Sequence, residues 1–347
     1  MSSSSRQRLE LADVAVVIVN YRTPDLTMRC LASLRVEKEA LPLLRVVVVD
    51  GGSDDGSAAK LAEGIGRSEY REWVSVLPLA INGGFGWANN QAILKLAQAE
   101  VPPEFVHLLN PDTEVRAGAV ANLVRELQEH PRCGAAGSQL LSPDGQRTPS
   151  AFRFPSAGRE LINAAQSPKV GALIGVAPTA INDDQGPEVD WVTGASVMFR
   201  AEALRQTGLF DDGFFLYFEE VELMHRLRSN GWTVRHVSGS EAIHFEGAAT
   251  GAGARSSRLP RYWYESRRRY FALTGGKATL IRANFAWGTG RAVWGLAKTI
   301  FGRSRPDGLR SSDLLRFGSW PREQDQMPSI ATWGEAPGRL PAWMARG

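Results

Sequence analysis

The 347-residue chain is poor in cysteine, in histidine and in long apolar runs, and each shortage removes a class of protein. Two cysteines, Cys30 and Cys133, cannot build a disulfide scaffold and match no metal or redox spacing; they read as reduced core thiols. No stretch approaches the ~18 uncharged apolar residues of a membrane-spanning helix, and mean hydropathy is −0.21. The opening MSSSSRQRLELADV lacks the apolar segment of a secretory signal, so a cytoplasmic location is expected. No G-x-S-x-G occurs, which leaves serine hydrolysis without its nucleophile elbow. His244-Phe245-Glu246 has the H-x-E form of a zinc deaminase but lacks the P-C-x-x-C partner. The composition is otherwise that of a folded protein, with 43% hydrophobic and 22% charged residues. The length allows two units, or one large α/β domain with an appendage.

A net charge of +3 conceals an uneven distribution. Residues 255–310 hold 13 Lys and Arg against Glu265 and Asp307, while residues 311–347 balance and residues 1–254 are net acidic. An acidic body with a basic collar points to an anionic surface or ligand met by one region only. No nucleic-acid recognition motif accompanies the collar, so nucleic acid is not expected as a partner.

VAVVIV at 14–19 and VVVV at 46–49 are short β-branched runs of the kind buried on both faces of a parallel sheet. Between them Thr23-Pro24-Asp25 reads as a helix start, with Thr as cap and Pro at the first position. Helices near 57–63, 88–99 and 118–129 and strands at 74–79 and 105–109 continue the alternation. Such alternation predicts an open α/β sheet with its site at the carboxyl ends of the strands. From 137 to 187 the chain is rich in Gly, Pro, Ser and Asp and reads as a meander of loops and short antiparallel pieces. Strands at 189–199 and 233–237, a short helix at 201–207 and a helix at 219–230 follow.

The polar residues at the strand ends carry the chemistry. Asp50 ends its strand before Gly51-Gly52-Ser53, where a carboxylate can accept from a nucleobase imide or a ribose; the same cluster also serves as an ordinary turn. Asn110-Pro111-Asp112 presents Asp112 from a stiffened loop at the same edge. There it either caps the next helix or binds Mg²⁺ or Mn²⁺ with positions left for diphosphate oxygens. Asn82 opens a Gly-rich turn whose helix N-terminus favours phosphate. That turn half-matches a dinucleotide fingerprint but lies away from the first strand-helix turn, where the fingerprint belongs. Glu219 and Glu220 follow an aromatic run, which desolvates a carboxylate, raises its pKa and suits it to general-base work; dipole-complementing surface acids are the plainer reading.

Taken in order, VVIVNYR (16–22), VVVVDGGSDDGS (46–57), NGGFGWANNQAI (82–93), LLNPDTEV (108–115), VDWVTGASVMFR (189–200), FFLYFEEVELMHRLRSNGW (214–232) and AIHFEG (242–247) resemble the family 2 glycosyltransferases, in their bacterial rhamnosyltransferase-like branch. The resemblance covers about residues 13–250. It implies a GT-A fold, a single mixed, mostly parallel sheet flanked by helices, with a C-terminal helical extension. It also implies a nucleotide-sugar donor and a divalent cation, Mg²⁺ or Mn²⁺. By that pattern Asn20 and Tyr21 belong to the nucleotide pocket together with Asn82, Asp50 reads the base, and Asn110 stands near the ribose. Asp112 takes the metal-binding acid's place and His244 completes the metal shell. Gly194 and Ala195 line the donor sugar. Glu220 falls on the catalytic aspartate of the family's Glu-Asp pair, with Glu219 beside it as the other candidate base.

The implied reaction is inverting transfer of a sugar, L-rhamnose from dTDP-β-L-rhamnose in this branch, onto a hydroxyl of a lipid-linked or cell-surface glycan. A UDP-hexose donor or a nucleotidyltransferase of similar fold is the alternative. The division expected is a disordered stretch at 1–12, a catalytic domain at 13–250, a basic helical extension at 251–310 and a tail at 311–347. Arg267-Arg268-Arg269, set among aromatic residues, and an apolar stripe through Ile281, Phe285, Val293, Leu296 and Ile300 suggest peripheral contact with the inner face of an anionic membrane, beside a polyprenyl-linked acceptor.

Overall fold

The computed structural model describes residues 3–181, 186–245, 258–301 and 309–344. The elements run α1 (Ser3–Glu10), β1 (Val14–Asn20), α2 (Pro24–Ala40), β2 (Arg45–Asp50), α3 (Ser57–Gly66), β3 (Val74–Pro78), α4 (Phe85–Ala97), β4 (Phe105–Leu109), β5 (Thr113–Val115), α5 (Ala119–Glu129) and β6 (Cys133–Leu141). They continue with β7 (Ala151–Phe152), α6 (Ala157–Ala165), α7 (Pro168–Ile174), β8 (Glu188–Val189), β9 (Trp191–Val192), β10 (Ser196–Arg200), α8 (Ala201–Thr207), α9 (Glu219–Ser229), β11 (Thr233–His244) and α10 (Arg261–Phe301), two helical stretches that meet in a kink at Gly276.

The main sheet has the order β3-β2-β1-β4-β10-β6-β11-β5, with β8 also paired to β11. The first four strands are parallel; β10 runs against β4 and β6, and β11 runs parallel to β6. Every residue of β4 and of β6 is buried, as the covered faces of such a sheet require. The register sets Asn20 beside Asp50 at the carboxyl ends of β1 and β2. The order turns at β1, with β2 on one side and β4 on the other, which opens the crevice where α/β sheets bind ligands. Cys30 and Cys133 are free and buried.

Several expectations are corrected. Within the stretch expected to be disordered, Ser3–Glu10 form α1, and Leu9 and Ala12 are 5% and 1% exposed in the core. The stretch 137–187 is more ordered than its composition suggests. It begins inside β6 and carries α6 and α7, with Ile162, Ala164 and Ala165 buried. The single strand expected at 189–199 is divided among the end of β8, β9 and β10, the last two separated by the turn at Thr193–Ala195. Residues 246–257, including Glu246 and Gly247, and residues 302–308 lie outside the described residues.

The largest correction concerns the basic collar. Arg267, Arg268 and Arg269 are 0%, 3% and 2% exposed, so none faces a membrane. Their guanidinium groups pair with Glu160 at 2.6 Å, Asp325 at 2.6 Å and Asp211 at 2.7 Å respectively. They are three internal ion pairs that bind α10 to α6, to the C-terminal segment and to the loop before α9. The acids lie 55 or more residues away in sequence, so the local pattern could not reveal the pairing. The C-terminal segment is likewise more than a tail over its described residues, 311–344. The Trp87 indole donates to the Arg339 carbonyl at 2.7 Å, the Trp343 indole to the Gly83 carbonyl at 3.0 Å, and Arg339 pairs with Asp212 at 2.7 Å.

Candidate active site

The crevice is built from strand ends. Asn20 Nδ2 donates to Asp50 Oδ2 at 2.7 Å, and Ser53 donates to the same carboxylate through its backbone N–H at 3.0 Å and its hydroxyl at 2.8 Å. Asn20 Oδ1 accepts from the Thr23 N–H and from the Thr27 hydroxyl, both at 3.1 Å. The Thr23 hydroxyl turns to Asn20 too, so it makes no cap for α2. The result is a buried polar floor in which the Asp50 carboxylate accepts three hydrogen bonds. Tyr21 is half-buried, and the Arg22 guanidinium lies 5.1 Å from its ring centroid. Ser53 and Arg22, whose Nε donates to the Ser53 carbonyl at 2.9 Å, join this floor without being singled out by the sequence pattern. Ser53 sits within the Asp50–Ser57 run, so the motif held the signal.

Asp112 follows β4 and is 3% exposed; His244 ends β11. The β11–β5 register sets His244 beside Thr113, and the Phe245 N–H donates to the Asp112 carbonyl at 2.9 Å. This brings His244 Nε2 to 3.3 Å from Asp112 Oδ1. Asn110 donates its backbone N–H to the Ala195 carbonyl at 2.9 Å, which ties this loop to the Gly194–Ala195 turn.

That turn reaches the acids. A Cβ built on Gly194 would lie 3.5 Å from the Phe85 ring and 3.9 Å from Glu220 Cβ. Glu219 and Glu220 open α9, and each keeps one buried carboxylate oxygen without a hydrogen-bond partner. Burial pushes the Glu220 carboxyl up to about 7; burial and the neighbouring Glu220 charge push Glu219 well above the carboxylate range. Glu219 is 2% exposed, whereas Glu220 is half-buried and so the more accessible of the two. Glu222 is a structural acid, paired with Arg226 at 2.6 Å.

Asn82 bends the Gly-rich turn by accepting the Gly84 N–H at 3.1 Å. Gly84 has φ 91°, and a Cβ there would lie 2.0 Å from the Phe215 carbonyl oxygen. The Phe85 N–H donates to that oxygen at 3.1 Å. This N–H of α4, expected to favour phosphate, is therefore taken by the chain itself. The glycine admits Phe215 backbone, and the turn buttresses the aromatic run that leads to Glu219 and Glu220.

The structure thus brings Asn20 and Asp50 together, Asp112 and His244 together, and Gly194 against Glu220. The Asn110–Ala195 bond links the last two groups. Among the described residues no cluster of three or more His, Cys, Asp and Glu side chains forms a complete metal cage.

Comparison with known proteins identifies the family. The model of the glycosyl transferase family 2 matches residues 15–184, and that of the glycosyl transferase family group 2 matches residues 105–301. The N-acetylglucosaminyl-diphospho-decaprenol L-rhamnosyltransferase of Mycobacterium tuberculosis is 31% identical over 68% of this chain and 77% of its own length. The chain belongs to the family 2 glycosyltransferases.

The low-salt glycan biosynthesis hexosyltransferase Agl10 of Haloferax volcanii is a more distant relative of this glycosyltransferase, 24% identical over 69% of each chain. A mannosyltransferase from Pyrobaculum calidifontis, solved with GDP-Man and Mn²⁺, shares its fold at TM-score 0.51 and 17% identity, covering 88% of this chain and 78% of that one. The fold class is GT-A, as expected.

Proposed function

We propose that this glycosyltransferase moves L-rhamnose from dTDP-β-L-rhamnose onto a hydroxyl of a lipid-linked glycan, with inversion at the sugar. The observation that carries the mechanism is the half-buried Glu220 against the Gly194 turn, joined through Ala195 and Asn110 to the loop that holds Asp112. The donor's nucleotide lies over the Asn20–Asp50 floor, with Tyr21 and Asn82 at its sides and Asn110 towards the ribose. Its sugar rests on Gly194 and Ala195, where a side chain would intrude. Glu220 takes the proton of the acceptor hydroxyl as that oxygen bonds to the anomeric carbon. The bond from that carbon to the diphosphate oxygen breaks, and its electron pair leaves with the nucleoside diphosphate. A carboxylate whose pKa stands near 7 is matched to that proton transfer. Glu219, more deeply buried, is the reserve assignment for the base.

One carboxylate oxygen and one imidazole nitrogen 3.3 Å apart suit neighbouring positions on a single hard cation, the rest being left to diphosphate and water. Asp112 and His244 would hold Mg²⁺ or Mn²⁺, which when bound supplies Lewis-acid neutralisation of the departing diphosphate.

The transferred sugar and the acceptor follow the mycobacterial relative's name, and the dTDP carrier follows the resemblance of the motifs to the rhamnosyltransferase-like branch. The test is transfer by purified protein with Mn²⁺, an N-acetylglucosamine-diphosphate-prenyl acceptor and a panel of nucleotide sugars. Turnover confined to dTDP-β-L-rhamnose supports the reading. Preference for a UDP-hexose overturns the donor; the Haloferax relative is named a hexosyltransferase.

We also propose peripheral attachment to an anionic membrane, through a surface of α10 other than the arginine triplet. Among the described residues no helix is long and apolar enough to cross a bilayer. Yet α10 exposes Ile281, Phe285, Val293, Leu296 and Ile300 at 48%, 77%, 40%, 63% and 61%. Lys277, Arg282 and Lys298 are exposed on the same stretch, while Trp287 and Trp294 are buried against the body. Gly290 allows this close packing, since a Cβ there would lie 2.5 Å from the Leu161 carbonyl oxygen of α6. An outward apolar stripe flanked by cations is the pattern of an interfacial helix. It would hold the active site on the inner face of the membrane, beside a lipid-linked acceptor.

A further inference from the structure

A cavity of about 500 Å³ opens between the start of α10, the aromatic run before α9 and the C-terminal segment. Two kinds of side chain line it. Phe215, Tyr262 and Trp343 form an aromatic wall, with Phe215 edge-on to Tyr262 at 5.3 Å and to Trp343 at 5.1 Å. Opposite in character are Arg261 and Arg322, both of which lean on the single carboxylate of Glu265, at 2.9 and 3.3 Å. Two cations sharing one anion leave a surplus positive charge. Deeper in the wall Arg268 and Arg269 are committed to Asp325 and Asp211, so they stiffen the cavity and add no net charge.

The cavity is coupled to the catalytic carboxylates. Tyr262 stacks on Tyr217 at 6.0 Å and 26°, two residues before Glu219. Tyr217 and Phe218 both have φ 69°, a left-handed turn that swings the chain from the cavity wall into α9. Phe215 carries the backbone oxygen bound by Phe85, whose ring lies beside Gly194. Trp343 is fixed to the Gly83 carbonyl of the same turn. A ligand in the cavity therefore touches Phe215 and Tyr262, which contact the segment leading into Glu219 and Glu220.

We infer that this cavity holds the phosphate-bearing sugar head of the acceptor, the ring against the aromatic wall and the phosphate or diphosphate on Arg261 and Arg322. Aromatic faces pack the C–H surface of a sugar, and guanidinium forks match phosphate oxygens. A neutral glycan would gain nothing from the surplus cation, and a bare anion nothing from the rings. The inference rests on the transfer reading above and specifies its acceptor subsite.

The test uses the full chain and two acceptors, N-acetylglucosamine-1-diphosphate on a short prenyl chain and octyl N-acetylglucosaminide. Arg261→Ala and Arg322→Ala are made separately; both side chains are largely exposed, at 61% and 43%, so the fold should tolerate them. Each is expected to raise KM for the diphosphate acceptor roughly tenfold, about 1.4 kcal/mol, with kcat little changed. KM for the octyl glycoside and the dissociation constant of dTDP should not move. An equal rise for both acceptors, or no rise for either, overturns the inference and leaves the transfer reading standing. A wild-type protein that binds dTDP yet transfers to neither acceptor overturns both.

Discussion

His244 Nε2 and Asp112 Oδ1 stand 3.3 Å apart, although they are 132 positions apart in the chain, because β11 closes against β5 in a register that ends at His244. Asp112 is anchored by its backbone carbonyl, which Phe245 binds, so Asp112→Ala keeps the loop and removes only the carboxylate. The expected result is at least about a tenfold, or ~1.4 kcal/mol, weakening of dTDP binding in Mn²⁺. Titration calorimetry with and without the metal checks it. Unchanged affinity in Mn²⁺ would reduce Asp112 to a turn residue.

Glu220→Gln should lower turnover by ~10²–10⁴ with little change in donor affinity, the scale for loss of a general base. The amide keeps the shape beside Gly194 and loses the basicity. Single-turnover rates with the diphosphate acceptor measure it. A wild-type rate here, with an inactive Glu219→Gln, would move the base to Glu219.

His107 is buried inside β4, and burial pushes its imidazole down to about 3. Its Nε2 meets the Ser196 hydroxyl at 3.0 Å, and a chain of hydroxyls continues through Ser138 and Ser240 to the Ala119 carbonyl. The carbonyl can only accept, so each hydroxyl donates onward and His107 must donate from Nε2 as the neutral ring. The unfolded histidine titrates near 6.5. Stability from His107 is complete above that pH and falls as the pH drops towards 3, by ~1.4 kcal/mol per unit. Glu219 and Glu220 work in the opposite sense, since their raised carboxyls are relieved by acid. The difference between wild type and His107→Gln in denaturant melts at pH 7, 5.5 and 4.5 isolates the histidine. Parallel curves would remove the argument.

Phe285→Glu and Leu296→Glu should abolish sedimentation with vesicles containing anionic lipid and leave the melting temperature unchanged, because both side chains already face water. Each withdraws about 1.5–3 kcal/mol of apolar contact. Binding that survives both changes would assign the stripe another role.

Arg269→Ala should cost about 3–5 kcal/mol, the scale for breaking a buried pair and stranding Asp211. A lowered denaturation midpoint is the readout. A variant as stable as wild type that has lost vesicle binding would return the triplet to the membrane.

The strands and helices of the first half, and most of the polar residues at their ends, were legible because local signals suffice there. β-branched runs bury on both faces, glycines and prolines punctuate them, and acids at strand ends fall where a parallel sheet must open. Three-dimensional structure decided what depends on partners distant in sequence. β6 is built partly of Gly, Ala and Ser and reads as loop until β10 and β11 cover it. The arginine triplet reads as a surface until Glu160, Asp325 and Asp211 arrive from three other segments. Gly84 reads as a phosphate turn until Phe215 fills the space. Composition and period report which surfaces want burial or charge, but a charge is satisfied by whatever counter-charge the fold delivers, and that is settled only when the chain closes on itself.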